Sequence, residues 1–183
     1  YMVCGVTTGV MGVHFVPFAL NEGIDKGTAA IAFGLLSGVN LIGVALAGII
    51  SDQLKRKDVL AVIYMIRALA FFCLIIFPAS TGLWIFAVIA GMSWLATVPL
   101  TSSLTSEIYG VKNIGMLAGV LTLIHQLGGA AAVYAAGLIF TSTGAYNLIF
   151  SASVILLIGA ALLSFMVREK AYSSRFQAAP SVA

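Results

Sequence analysis

Charge is scarce in this chain. Asp, Glu, Lys and Arg make up 8% of its 183 residues, where a water-soluble domain carries about a quarter. No aspartate or glutamate lies inside any long apolar run away from its ends. Hydrophobic residues make up 61% of the chain and the mean hydropathy is +1.12, a surplus that one water-facing core of this size cannot bury. These shortages exclude a soluble globular domain and point to an integral membrane protein. Cysteine is nearly absent too. Cys4 and Cys73 both fall inside apolar runs, so they read as small buried hydrophobes, with no disulfide framework, metal pattern or cofactor motif. The net charge of +3 gives no nucleic-acid signal, because the cations flank apolar runs instead of covering one face. The first run has no charged stretch before it and no cleavage site after it, so it is expected to be a crossing and not a signal peptide. Tyr1 already stands inside an apolar run, and the expectation is a fragment whose upstream part is missing.

What the chain does have is length of apolar run. About 20 residues are needed to cross a bilayer's hydrocarbon core as a helix. Six runs qualify: Tyr1–Leu20, Gly27–Ser51, Asp58–Ala79, Leu83–Thr105, Ile114–Phe140 and Tyr146–Val167. They lack period-two alternation and are about twice the length of a barrel strand, which argues against a β-barrel. The connections are short, so neighbouring helices run antiparallel. The loops after the second and fourth runs and the tail hold Lys55, Arg56, Lys57, Lys112, Arg168, Lys170 and Arg175, whereas the opposite side holds only Lys26. Excess Lys and Arg marks the cytoplasmic side. The expectation is a multi-pass protein of the plasma membrane, of the bacterial inner-membrane kind, with a cytoplasmic C-terminus. It divides into a transmembrane unit, 1–167, and a polar, disordered tail, 168–183.

The six runs repeat a pattern. The first and fourth carry a proline, Pro17 and Pro99, and are expected to be broken by it. The second and fifth are rich in glycine, with Gly34, Gly38, Gly43 and Gly48 in one and Gly115, Gly119, Gly128, Gly129 and Gly137 in the other. The third and sixth are nearly glycine-free. Small residues let helices approach closely in lipid, so the glycine-poor runs are expected to face outward. Three is odd, so the second trio crosses with opposite polarity: an inverted repeat, the device of many secondary transporters.

One loop is more particular. Gly48–Lys57 reads Gly-Ile-Ile-Ser-Asp-Gln-Leu-Lys-Arg-Lys and resembles the signature loop of the major facilitator superfamily, whose usual form has a second glycine where this chain has Lys55. Glu107-Ile-Tyr-Gly110, Gly115-x-x-x-Gly119, His125-Gln-Leu-Gly-Gly129 and Thr143-Gly-Ala-Tyr146 look like the corresponding positions of its monocarboxylate-porter-like members, in the right order over nearly the whole chain. The resemblance implies helices seven to twelve of a twelve-helix transporter, an all-α half-bundle whose partner is the missing N-terminal six-helix half. It also implies that the first, second, fourth and fifth helices line the cavity and the third and sixth stay outside.

Ionisable groups at membrane depth are costly and mark function by default. Here they are His14, Arg67 and His125. Asn40, Thr97 and His125, with Gln126 beside it and Trp94 as an apolar face, form the expected wall for a small organic anion, transported with a proton if a histidine carries one. The alternative for His125 is an interhelical hydrogen bond. His14 is a candidate for the outer vestibule, or simple packing. Arg67, about nine residues or 14 Å into the third run, is read as structural, its side chain reaching toward the cytoplasmic ends of neighbouring helices and Glu107. The alternative is a bidentate hold on an anionic substrate. Within the signature loop, Gly48 and Arg56 shape the turn, and Asp52 is a candidate gate against a helix N-terminus of the other half. The expected function is secondary transport by alternating access, not enzyme catalysis. Two other readings compete: an intramembrane serine protease built on Ser93 and His125, whose pairing needs hydrogen-bond contact, and a non-transporting six-helix scaffold.

Overall fold

The computed structural model describes residues 1–169, and among them all regular structure is helical. The helices are α1 (Met2–Asn21), α2 (Lys26–Gln53), α3 (Arg56–Ile76), α4 (Ala79–Ser93), α5 (Thr97–Tyr109), α6 (Ile114–Thr143) and α7 (Asn147–Met166). Six segments are long and apolar enough to cross a membrane, α4 and α5 sharing one crossing. The expected tail lies outside the described residues from position 170 onward.

The helix ends follow local chemistry. Asp25 caps α2 by accepting the Thr28 amide at 3.0 Å, which satisfies a donor the first turn leaves free. Hydrogen bonds from the Thr28 hydroxyl and amide hold the Asp25 carboxyl below the ordinary carboxylate value. α3 stops at Phe77, which is extended (ψ 152°) because Pro78 follows it. Gly144, at φ 69°, ends α6 in the left-handed region that a side chain disfavours.

The fourth crossing is interrupted a little before its proline. It breaks at Trp94–Ala96 and restarts at Thr97, with Pro99 in the first turn of α5. A proline has no N–H to donate and its ring crowds the carbonyl four residues back, here that of Leu95. The backbone bonds left across the break, Trp94 N–H to Gly91 O at 3.3 Å and Val98 N–H to Leu95 O at 3.0 Å, span three residues instead of four. Pro17, by contrast, sits within α1 without interrupting it.

Packing bears out the repeat. The most extensive pairings are α1 with α6, α2 with α4, and α3 with α7. Exchanging the two trios maps the first-with-fifth pairing onto fourth-with-second, and third-with-sixth onto itself. Glycine sits at both equivalent crossings. A methyl on Gly5 would strike the His125 carbonyl, and one on Gly128 would lie 2.8 Å from the Met2 carbonyl. At the other crossing, a methyl on Gly43 would strike the Met92 carbonyl, and one on Gly91 would lie 2.7 Å from the Leu36 carbonyl.

Enclosure within this half does not follow glycine content. α3 is the most enclosed of the six crossings, and the glycine-rich α6 is the least. Glycine marks a narrow line of backbone contact. Enclosure depends on how many neighbours surround a helix, and α3 packs against α7, α4, α5 and α2.

Candidate functional site

The break in the fourth crossing exposes backbone groups that lipid cannot solvate, and protein must satisfy them. Two side chains from neighbouring helices do so. Asn40, midway along α2, accepts the Leu95 N–H on its Oδ1 at 2.9 Å. Arg67, midway along α3 and 0% exposed, donates from Nη2 to the carbonyls of both Ser93 and Trp94. In an unbroken helix those carbonyls would accept from Thr97 and Val98.

The other end of the guanidinium reaches α1. Arg67 Nη1 donates to Thr7 Oγ1 at 3.2 Å and to Cys4 Sγ at 3.5 Å. The Cys4 sulfur lies 2.9 Å from Thr97 Oγ1 on α5. Thr7, Ser93 and Thr97 are fully buried. The result is a polar knot at the centre of the half-bundle, tying α1, α3, α4 and α5 together, with Asn40 joining it from α2. None of the partners given to Arg67 is a carboxylate. Both ion pairs among the described residues belong to Arg56. One donor is left over, since Arg67 Nε is buried without a hydrogen-bond partner. A buried cation with no carboxylate beside it keeps much of its desolvation cost, and anions are what relieve it.

The expected site residues therefore separate. Asn40 and Thr97 are engaged by the protein itself. Trp94 and His125 keep a free nitrogen each: Trp94 Nε1 and His125 Nε2 are buried without partners. The Trp94 ring packs edge-on to Phe33 at 5.6 Å, and the His125 ring leans on Tyr1 at 5.0 Å. His125 Nδ1 lies 3.2 Å from Gln126 Oε1, and Gln126 is exposed. His14 is pinned between α6 and α7, with Nε2 3.1 Å from the Val133 carbonyl and Nδ1 3.4 Å from the Tyr146 hydroxyl. Arg67 does not reach Glu107, as one reading expected. Its geometry is set by the break, and Glu107 is taken by Arg56 at 2.7 Å.

Cys4 and Thr7 are the members that the sequence reading missed. Cys4 read as a small hydrophobe, yet Cys4, Thr7 and Thr8 lie at helical spacing on one face of α1, and that stripe was the available signal. The serine-protease reading fails on geometry. Ser93 Oγ donates to Ala90 O at 3.0 Å and is sealed from solvent, while the contact given for the His125 ring's Nδ1 is Gln126.

Below the knot, toward the end carrying Lys55–Lys57, lies a cavity of about 420 Å³ lined by Tyr1, Leu60, Tyr64, Thr101 and Leu104, among others. At the basic end itself, Arg56 bridges Glu107 and, at 4.0 Å, Asp52. Lys57 donates to the Phe165 carbonyl at 3.0 Å, and its amide donates to Glu169 at 2.6 Å. These contacts clip the loop between α2 and α3 to the ends of α5 and α7.

Comparison with known proteins adds the following. The family model described as Major Facilitator Superfamily matches residues 1–182. The chain is 35% identical over 179 residues to an uncharacterized MFS-type transporter, YcxA, of Bacillus subtilis, covering 92% of this chain and 43% of that protein. It is 27% identical over 169 residues to monocarboxylate transporter 12-B of Danio rerio, covering 90% of this chain and 35% of that one. It is 29% identical over 128 residues to the MFS transporter asaE of Aspergillus flavus, covering 69% and 29%. The chain thus spans less than half the length of these relatives.

Proposed function

Because the chain belongs to the Major Facilitator Superfamily, we propose that it is half of a secondary transporter for small organic anions of the monocarboxylate kind. The observation that carries the substrate class is Arg67, a fully buried guanidinium with no carboxylate among its given partners. A permanent charge at membrane depth is a functional group by default, and a carboxylate matches its fork geometry. The similarity to monocarboxylate transporter 12-B supports the same class.

In this reading the transport cycle is alternating access, with the two halves rocking about a site near mid-depth. Trp94, His125 and Gln126 face the passenger, and Asn40 and Thr97 hold the broken crossing behind them. His125 carries the proton that accompanies the anion, and His14 stiffens the outer end. The basic end faces the cytoplasm. There Asp52 meets the N-terminus of a helix in the other half when the inner side is shut, and Arg56 and Glu107 brace the loop that carries it.

Reconstituting the full-length protein in liposomes tests this. Labelled acetate, lactate and pyruvate are expected to enter, and their neutral amides to stay out. His125→Ala is expected to abolish uptake or uncouple it from a proton gradient at normal expression. Failure to take up any of the three acids, or equal uptake of the amides, rejects the reading.

A further inference from the structure

The contacts of Arg67 and Asn40 give the broken crossing two alternative sets of hydrogen bonds. In the structure, Arg67 Nη2 serves the Ser93 and Trp94 carbonyls and Asn40 Oδ1 serves the Leu95 amide. In a continuous helix, Ser93 O accepts from Thr97 N–H, Trp94 O from Val98 N–H, and Leu95 N–H returns to Gly91 O. Every group that leaves Arg67 or Asn40 then has a helical partner. The one loss is Leu95 O, which gives up the Val98 N–H and which Pro99 deprives of a helical donor. That one orphan holds the continuous form at a disadvantage while nothing else is bound.

We propose that the transported carboxylate is the ligand that throws this switch: it takes Arg67, and the released carbonyls close the helix across Trp94–Ala96. The proposal rests on the organic-anion reading and adds the coupling device. A ligand shifts a conformational equilibrium only through a difference in affinity between the two states, and the guanidinium supplies one. Nε–H and the adjoining Nη2–H form one edge of the fork that a carboxylate grips with both oxygens. With the crossing broken, Nε–H is free but Nη2 is occupied, so the anion finds half a fork. With the crossing continuous, both donors are free. Nη1 stays on Thr7 and Cys4 in either state, which keeps the guanidinium in place. Closing the break also resets α5 relative to α4, and α5 carries Glu107, the partner of Arg56 at the basic end. Anion occupancy is thereby linked to the contact that clips the loop between α2 and α3.

The test uses full-length protein in nanodiscs and liposomes, with acetate, lactate and pyruvate as probes and acetamide, lactamide and pyruvamide as controls. Within residues 95–98, hydrogen exchange at Ala96 and Thr97 is expected to slow about tenfold on adding a transported acid, as these two amides gain helical bonds, and to be unchanged by acetamide, lactamide or pyruvamide. Asn40→Leu removes an acceptor that only the broken form uses. It is expected to lower the half-saturating acid concentration about fivefold. Arg67→Lys, which keeps the charge and loses the fork, is expected to raise it at least about tenfold. A wild-type protein that takes up none of the acids rejects the anion reading and the switch with it. Uptake by wild type with unaltered exchange at 95–98, or an Asn40→Leu protein with unchanged or weakened apparent affinity, overturns the switch alone. Asn40→Leu leaves the Arg67 contacts intact, so the outcome does not hang on whether the arginine variant folds.

Discussion

α3 and α6 divide the work of this half-bundle in opposite ways. α3 has no glycine, eleven buried residues and a guanidinium at its centre whose Nη atoms donate to four acceptors, none of them a carboxylate. α6 has five glycines, only two buried residues, and a histidine with one nitrogen left free. The enclosed helix ties its polar group into the broken crossing, and the open helix leaves Gln126 exposed. In lipid, a polar side chain surrounded by protein is drawn into satisfying that protein. One on an open face meets whatever comes to that face, whether passenger, lipid or another helix.

Four experiments probe that contrast, the largest effect first. Arg67→Met strips the donors from sealed carbonyl and hydroxyl acceptors and is expected to cost roughly 3 kcal/mol of stability. His125→Leu on the open face is expected to cost less than about 1 kcal/mol. Thermal unfolding of the two variants in detergent compares them directly, and equal losses would erase the distinction between the helices.

Gly5→Ala drives a methyl into the His125 carbonyl and is expected to cost about 1–2 kcal/mol through displacement of α6. Gly119→Ala, whose added methyl would meet nothing within 4 Å, is expected to be neutral or to stabilise by up to about 1 kcal/mol through helix propensity. Denaturant midpoints decide it. A neutral Gly5→Ala would mean that α6 is free to slide along α1.

Glu107→Gln removes the Arg56 ion pair at the basic end, where the side chains are 28% and 40% exposed. Exposed pairs contribute little, so the expected loss is at most about 0.5 kcal/mol, shrinking further at high salt. A salt titration of unfolding measures it, and a large salt-independent loss would place that contact among the buried determinants instead. The smallest effect belongs to Asp25. Its carboxyl is held below its ordinary value in the folded state, so its cap stabilises α2 above the unfolded-state value near about 4. That contribution fades as pH falls through the lower, folded-state value. Amide exchange at Thr28 followed from neutral to acidic pH is expected to quicken only in that acid range, and Asp25→Ala is expected to remove the pH dependence.

Much of this architecture was legible beforehand. The six crossings, their antiparallel order and the doubled trio follow from run length, loop length and the placement of Pro and Gly, and the paired crossings of α1 with α6 and α2 with α4 carry glycine where backbones touch. The site was legible in part. Asn40, Arg67, Thr97, Trp94 and His125 stood out because polar groups in apolar runs are few. Which of them serve one another was hidden, and so was the part of Cys4 and Thr7, because a thiol and a hydroxyl at helical spacing look like packing until a guanidinium arrives beside them.

Membrane insertion and the number of crossings were therefore settled by the chain alone, since crossing the hydrocarbon core depends on local apolar length and backbone bonds within each segment. The break at Trp94–Ala96 was half-announced by Pro99. Its repair by Arg67 from 26 residues upstream in sequence and by Asn40 from 55 belongs to tertiary structure. Hydrogen bonds between crossings depend on how the helices are rotated and set side by side, and residue order along any one of them does not encode that.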